Sequence, residues 1–431
     1  MTVSSSNSFF TKVNLLNIIL SIIPLSFIAG NLAINLNILF FILLALIVYG
    51  KDIFNIKLLF LDKIIFFFFF FVLLTGILNN IDVFYNKPRP YDFEIILKSI
   101  TYLRFLLLYL IIRFMVTKNL INFKLFFISS SLFSFFVALD IFYQFIIGRD
   151  IFGHLPVGLK LSGPFGDELI AGSYLQRFSI FSFFIIPLFF SKYRKIIFII
   201  LPLIFVYYFT AIVFTGNRMP LVLFLLSILF IFISEEKTKK YFISFIFGFL
   251  LIFISIYSFN ENVKTNFNNF FIQVKQLSKV ITGEEFEKYR MPSYYMEFES
   301  FYDTWLMNKY MGGGIKQFRY NCHERKNIDR SSKFICNTHP HNYYLEILTE
   351  LGLIGLIILS VLILTIFYKS FITKYIIKTD LKYNNLITPF IFLFITEIFP
   401  IKSSGSFFTT GNATFIFLIL SFTVALSYKK N

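Results

Sequence analysis

Charge is scarce in this chain of 431 residues, and it is unevenly placed. Charged side chains make up 15% of the sequence, whereas hydrophobic residues make up 57% and the mean hydropathy is +0.74. Soluble domains are about 45–50% apolar, so a chain of this composition could not hide its apolar surface in water. The few charges lie between long apolar blocks, which excludes a soluble globular protein and predicts a membrane protein.

Signature spacings of common catalytic and binding sites are missing as well. The sequence contains no C-x-x-C or H-E-x-x-H spacing, no nucleotide-binding glycine loop and no D-x-D pair. The formal net charge is +16, but no basic face with interleaved aromatic residues is present to grip nucleic-acid phosphates. We therefore expect no metal, no other cofactor and no nucleic-acid partner.

The sequence does contain a series of apolar blocks, each close to the roughly 20 residues that cross about 30 Å of hydrocarbon as a helix. About twelve such blocks can be distinguished. They run over 13–29, 31–50, 63–79, 97–116, 122–147, 170–191, 195–214, 219–234, 240–258, 343–368, 386–400 and 411–427. The expected fold is all-α, a polytopic integral membrane protein with about 12 transmembrane helices and one large loop.

Lysine and arginine indicate the orientation and the domain boundaries. If the N-terminus is cytoplasmic, the inside connections hold most of these residues, as in the group Lys237, Lys239 and Lys240. The same reasoning places the polar segment 259–342 outside the membrane. We therefore expect earlier helices over 1–258, an exported loop over 259–342, and later helices over 343–431.

The exported loop contains both cysteines of the chain. Cys322 and Cys336 close a short loop, and their shared location in an exported segment predicts a disulfide. A zinc site is the alternative, because His323, His339 and His341 lie nearby in the sequence. The missing zinc spacings favour the disulfide.

The stretch from Thr338 to Gly355 carries the most chemical information. Pro340 suits the first position of a helix, and Thr338 or His339 could cap it, which would put His341 in the first turn. The positive end of a helix disfavours imidazolium, so His341 would stay neutral and able to accept a proton. The free amides of that turn could hold a phosphate. The alternative is that His341 only marks the membrane interface.

His341 and Asn342 are followed by nine residues, Gly352, two residues and Gly355. This pattern resembles that of the bacterial O-antigen ligase and O-antigen polymerase superfamily. The resemblance covers nearly the full chain, since those proteins have about twelve helices, cytoplasmic ends and a large periplasmic loop before the helix that begins with the His.

Three further residues resemble features of that superfamily. Arg218 is similar to an Arg at the outer end of a helix that has Leu four residues later, although Val222 stands at that position here. Arg319 follows a glycine-rich turn, Gly312 to Gly314, as in many relatives. Arg290 is the nearest counterpart of an Arg or His in the preceding amphipathic helix, at a longer spacing.

The resemblance implies a metal-independent glycosyltransferase of the bacterial inner membrane, with its active site facing the periplasm. The donor would be a glycan on undecaprenyl diphosphate, and the acceptor a hydroxyl of lipid A core, or of another glycan in a polymerase. The catalytic base would be His341. The substrate-binding residues would be Arg218, Arg319, Arg290, His339 and Asn342. The complete pattern around His341 favours a ligase.

Two other classes of protein stay open at this point. A transporter of lipid-linked sugars would suit the helix count, although the two halves show no matching Gly/Pro-broken helices. A structural membrane protein is the third class. Arg104 and Arg177 fall inside expected helices, where a charge indicates either a functional role or an internal ion pair, for instance with Asp140.

Overall fold

A computed structural model describes residues 12–80, 91–190, 197–235, 242–285, 287, 293–325, 336–379 and 385–428. Within these ranges the chain is helical and contains no β-strand. The all-α prediction is therefore confirmed for the part of the chain that the structure describes.

The helices before the long polar segment are mostly apolar. The first nine among the described residues are α1 Lys12–Ser21, α2 Ile23–Ala29, α3 Asn31–Tyr49, α4 Phe60–Leu78, α5 Asp92–Tyr102, α6 Arg104–Thr117, α7 Phe123–Ile147, α8 Ala171–Phe178 and α9 Ser182–Phe189. Three more follow as α10 Ile197–Phe214, α11 Arg218–Ser234 and α12 Phe242–Phe259.

The polar segment and the C-terminal part contribute six further helices to the part of the chain that the structure describes. Three helices lie in the polar segment, α13 Glu261–Thr282, α14 Ser293–Met307 and α15 Phe318–Glu324. They are followed by α16 Tyr343–Phe367, which continues as a π-helix over Tyr368–Ile376, and by α17 Thr388–Glu397 and α18 Thr410–Ser427.

Six helical stretches in the described residues are long and apolar enough to cross a membrane, and two bent helix pairs raise the number to eight. The chain is therefore a multi-pass membrane protein. The expected count of about twelve spans stays a prediction. One expected span, 170–191, is broken into α8, a 3-10 turn over Ser179–Phe181 and α9, and another, 386–400, has only the ten residues of α17 as helix.

The core of the bundle lies around α18. In α18, 83% of the apolar stretch is buried, compared with 28% in the stretch Asn31–Ile53 near the N-terminus. Small residues such as Gly411, Ala413 and Ala425 lie along α18, and small residues let neighbouring helices approach closely in a membrane. The rings of Phe105 and Phe417 stack at 5.8 Å where α6 meets α18.

A bend marks the point where the polar segment leaves the bundle. The axes of Phe245–Phe259 and Glu261–Thr282 differ by 107°. Asn260 caps the second helix, because its side-chain oxygen accepts from the Val263 amide at 2.9 Å. Helix α13 therefore runs across the direction of α12 and reaches the start of α11.

Candidate functional site

The start of α16 is fixed by a single asparagine. The Oδ1 atom of Asn342 accepts hydrogen bonds from the backbone amides of Tyr344 at 3.0 Å and Leu345 at 3.2 Å. Its Nδ2 donates to the carbonyl oxygens of Pro400 at 2.7 Å and Lys402 at 3.2 Å. Asn342 therefore caps the helix and also ties it to the loop between α17 and α18.

The cap lies further along the chain than the sequence indicated. Thr338 or His339 was the expected cap, with Pro340 at the first helical position, but the helix begins at Tyr343. Asn is among the strongest N-cap residues, and Asn342 has the extended backbone that a cap requires. His341 is consequently in the loop, one residue before the cap, and not in the first turn.

The first glycine of the pattern bends α16. Gly352 has φ 67° and ψ −170°, which breaks the helical hydrogen bonding. The amides that follow the bend are satisfied elsewhere, since the amide of Leu353 donates to Lys309 O at 2.9 Å and that of Ile354 to Tyr310 O at 3.1 Å. The bend thus joins α16 to the loop after α14 by backbone hydrogen bonds.

The glycines of the loop and of α16 fit against each other. A Cβ at Gly312 would lie 2.4 Å from the carbonyl carbon and oxygen of Glu350, and a Cβ at Gly352 would lie 2.3 Å from those of Tyr310. A Cβ at Gly355 would lie 2.2 Å from Leu351 Cβ. Three of the residues that carry the resemblance, Asn342, Gly352 and Gly355, therefore have evident structural roles. His341 is the remaining residue of the pattern, and its imidazole is the group that can take part in proton transfer.

Two histidines lie together at the start of α16. The ring centroids of His339 and His341 are 4.9 Å apart, and Thr338 Oγ1 lies 3.0 Å from His339 Nδ1. Burial lowers the pKa of His341 below its usual 6.5. Burial, together with the charges of His341, Lys316 and Arg319, lowers the pKa of His339 to about 4. Both rings are therefore neutral at pH 7 and able to accept a proton.

Two cations that follow the glycine-rich turn lie near His339. Lys316 is buried and donates from Nζ to Ser406 Oγ at 2.8 Å, and its Nζ is 3.6 Å from Glu346 Oε1. Arg319 lies on α15, and its Nε is buried without a hydrogen-bond partner among the described residues. Positive charge beside a neutral base makes this a suitable place for an anionic substrate.

Glu346 compensates part of the positive charge of Lys316. Its carboxylate accepts from Ser406 Oγ and from the Phe407 amide, each at 2.5 Å. It is fully buried, and a buried carboxylate persists only when it is paired and hydrogen-bonded. Together with Lys316 it ties the glycine-rich loop, α16 and the 398–409 loop into one unit.

A second buried cluster lies behind the helix start. Arg177 on α8 donates to both oxygens of Glu397, at 2.6 Å and 3.1 Å, and to Asn412 Oδ1 at 2.7 Å. Lys402 Nζ lies 2.5 Å from Glu397 Oε1 and 2.8 Å from the hydroxyl of Tyr343. Burial lowers the pKa of Lys402 to about 8.

This ion cluster is the part of the site that the sequence did not reveal. Arg177 pairs with Glu397 and not with Asp140, whose Oδ1 instead accepts from the Ile151 amide at 2.8 Å. In the sequence, Arg177 and Glu397 are recognisable only as charged residues inside two separate apolar stretches. Such a signal does not identify the partner across 220 positions of sequence.

Arg218 lies at the start of α11, against α13. Its guanidinium donates to Asn266 Oδ1 at 2.9 Å, to Asn266 O at 2.7 Å and to Gln273 Oε1 at 2.9 Å. It also stacks over the Phe270 ring at 5.4 Å from the centroid. Burial and the charge of Arg218 lower the pKa of Lys160, so the two cations are neighbours.

The structure therefore brings some of the expected site residues together and places others apart. His339, His341 and Arg319 are neighbours, and Asn342 holds the helix start. Arg218 lies against α13. Arg290 lies outside the described residues.

Helix α8 lies between the region of Arg218 and that of Glu397. At its start, a Cβ at Gly172 would lie 2.9 Å from Asn217 Cβ, next to Arg218. At its end, Arg177 binds Glu397. The two regions are thus separated by about one and a half helical turns.

A family comparison bears on these residues. Residues 203–360 match the model of the O-antigen ligase family. Residues 203–360 are therefore similar to the O-antigen ligase family, which supports the resemblance seen around His341. No curated protein matches the chain in a sequence search.

The O-antigen ligase match contains both cationic regions and the histidines. Arg218, Arg319, His339 and His341 all fall between residues 203 and 360. Arg177, Glu397 and Lys402 fall outside it, although their cluster supports Tyr343. The similarity to the family therefore lies in the segment that carries the proposed chemistry.

The two cysteines of the matched segment are paired. Cys322 and Cys336 form a disulfide with Cα atoms 5.6 Å apart, so the alternative in which these two thiols bind zinc is wrong. The disulfide links α15, which carries Arg319, to the segment that leads to His339. Closing a loop of about 15 residues stabilises the fold by about 3 kcal/mol in the chain-entropy account.

Proposed function

We propose that the protein transfers a glycan from undecaprenyl diphosphate to an acceptor hydroxyl, with His341 as the base. The family match indicates a glycosyltransferase-like enzyme. The observation that carries the proposal is the pair of buried imidazoles of His339 and His341, whose ring centroids are 4.9 Å apart. The charges of Lys316 and Arg319 act on His339, and the neighbouring residues of the pattern have structural roles. Neutral imidazole can take the acceptor proton, and the cations suit a diphosphate.

The reaction is a single displacement. The acceptor oxygen attacks the anomeric carbon of the donor glycan, and the bond between that carbon and the diphosphate oxygen breaks. His341 takes the hydroxyl proton, and undecaprenyl diphosphate leaves with the bonding electrons. Arg319 and Lys316 stabilise the negative charge that develops on the diphosphate, and Arg218 binds it from the side of α13. Guanidinium groups make a divalent metal unnecessary for this role.

The proposed setting is the bacterial inner membrane, with the polar segment 259–342 in the periplasm. The disulfide between Cys322 and Cys336 supports an exported location, because disulfides persist in oxidising compartments. The lysine-rich connections support the same orientation. The lipid-linked donor can then reach the site from the outer leaflet.

The acceptor distinguishes a ligase from a polymerase, and we favour lipid A core as the acceptor. Both reactions would use the same base and the same leaving group. A polymerase, which transfers the glycan to another repeat unit, is the alternative within the superfamily. A transporter of lipid-linked glycans is the alternative from another class.

The proposal is tested with purified protein in proteoliposomes that contain glycan on undecaprenyl diphosphate. We expect undecaprenyl diphosphate to be released only when an acceptor is added, and more with lipid A core than with a second repeat unit. Release with the repeat unit alone would identify a polymerase. Movement of the intact donor across the bilayer without release would identify a transporter and contradict the proposal.

A further inference from the structure

A cavity of about 480 Å³ opens at the end of the bundle that lies away from the histidines. Three helices connect the two ends. At the near end, Asn79 after α4 donates to Gly312 O at 3.0 Å, and Arg104 at the start of α6 donates to Thr410 at the start of α18 at 3.4 Å. Their far ends line the cavity. Helix α4 has 19 residues, which span about 28 Å.

The distance along α4 is close to the thickness of the hydrocarbon core of a bilayer. The candidate site and the cavity therefore lie at opposite faces of the membrane. Chain connections at this end include the 3-10 turn Gly50–Ile53 and residues 118–122 between α6 and α7.

The cavity has more positive than negative side chains. Lys57, Arg113 and Lys118 line it, with Asp52 as the acidic lining residue. Arg113 is buried and forms an ion pair with Asp62, which is also buried, so its charge is compensated within the bundle. The two lysines are exposed and outnumber Asp52, which leaves a positive surplus at the opening.

A hydrogen-bond donor is free inside the cavity. The hydroxyl of Tyr428, which follows α18, is buried and has no partner among the described residues. Burial raises the pKa of Tyr428, so the hydroxyl stays protonated and can donate. The side chain of Asn55 also lines the cavity. Buried hydroxyls are normally hydrogen-bonded, and a partner is therefore expected here.

The rest of the lining is apolar and continues onto the outer surface of α4. Ile56, Leu59, Phe114 and Ala425 complete the wall. On the adjoining face of α4, Phe60, Phe67 and Phe70 are 64%, 53% and 57% exposed. Positions seven and ten residues apart lie on one face of a helix, so these rings form an apolar track that leads away from the cavity.

We propose that this cavity binds the phosphate group of an anionic phospholipid in the leaflet opposite the histidines. Lys57 and Lys118 bind the phosphate oxygens, and Tyr428 donates a hydrogen bond to one of them. The acyl chains lie along Phe60, Phe67 and Phe70. Basic pockets between transmembrane helices are typical binding places for lipid phosphates, and the joined polar and apolar walls favour a lipid over a free anion. The proposal does not depend on the transferase function.

Native mass spectrometry of the full-length protein in detergent, titrated with phosphatidylglycerol, tests the proposal. We expect one phosphatidylglycerol to bind more tightly than phosphatidylcholine. In the double variant Lys57→Ala/Lys118→Ala, the dissociation constant for phosphatidylglycerol should rise about 25-fold, because each basic residue near a membrane surface contributes about fivefold to binding. Tyr428→Phe keeps the ring and should weaken binding about fivefold.

The matched control is Lys51→Ala/Lys63→Ala, which removes the same charge from exposed positions beside the cavity. Its affinity for phosphatidylglycerol should stay within about twofold of the parent. Equal weakening in both double variants, or none in either, would overturn the proposal. Displacement of phosphatidylglycerol by inorganic phosphate at equal concentration would also overturn it, because the site would then bind a free anion.

Discussion

The contact between Gly312 and the bend of α16 allows a quantitative test of how the site is held together. The change is Gly312→Ala. Gly312 has φ +70°, and the new Cβ would lie 2.4 Å from the carbonyl carbon and oxygen of Glu350. The matched control is Gly283→Ala, where φ is +75° and no atom lies within 4 Å of the new Cβ.

Both substitutions place alanine in a left-handed conformation, which costs about 1–2 kcal/mol. Only Gly312→Ala adds a backbone clash. Cβ contacts under 3.0 Å are essentially never seen, so the loop must move by about 0.6 Å. That movement stretches the hydrogen bonds from Gly314 N to Glu350 O at 2.8 Å and from Leu353 N to Lys309 O at 2.9 Å. Losing one or two buried bonds costs about 1–3 kcal/mol each.

We therefore expect Gly312→Ala to lower the free energy of unfolding by about 3 kcal/mol more than Gly283→Ala does. The measurement is denaturant unfolding of the purified protein in detergent, followed by the fluorescence of Trp305, which is the only tryptophan of the chain and lies on α14, beside the loop. Equal losses in the two variants would show that the glycine contact carries no packing energy and would refute this account of the pattern.

Three further predictions concern the cations, the base and the loop. Arg218→Lys should keep part of the transfer rate and Arg218→Ala nearly none, and equal activity of these two variants would contradict a bidentate role. Asn266→Ala removes a hydrogen-bond partner of the Arg218 guanidinium, and it should raise KM for the donor more than it lowers kcat. Burial lowers the pKa of His341 below 6.5, so the neutral base persists into mildly acidic solution. The transfer rate should therefore stay constant as the pH falls to 6.5 and decline only below it. A decline centred above pH 6.5 would contradict this prediction. After reduction, a membrane-impermeant thiol reagent should label Cys322 or Cys336 in intact spheroplasts, and labelling that requires permeabilised membranes would reverse the orientation.

The membrane class and the approximate start of α16 could be predicted from the sequence because both are local properties. Apolar blocks identify spans by composition, and a helix start is recognised within a few residues. Even so, the cap was assigned to Thr338 or His339, and the structure uses Asn342. Several residues there are suitable for a cap, and only the bonds to Pro400 and Lys402 decide between them.

The parts of the site that escaped prediction depend on contacts between distant segments. The pair Arg177 and Glu397 joins α8 to α17, and Lys316 meets Ser406 across 90 positions. A single sequence contains no local pattern that selects these partners. The bend at Gly352 is of the same kind, since a glycine inside an apolar block indicates flexibility or packing but not the loop that fills the bend.

The central claim is that His341 takes the proton of the acceptor hydroxyl. The most direct test is the transfer rate of His341→Ala in the reconstituted assay, at matched protein level, against His154→Ala. His154 lies in a different loop, where its Nδ1 is 2.8 Å from Asp150 Oδ2, and its loss should leave the rate unchanged. We predict that His341→Ala lowers the rate by about 10²–10⁴-fold, the usual contribution of a general base. Transfer by His341→Ala at the parental rate would contradict the account.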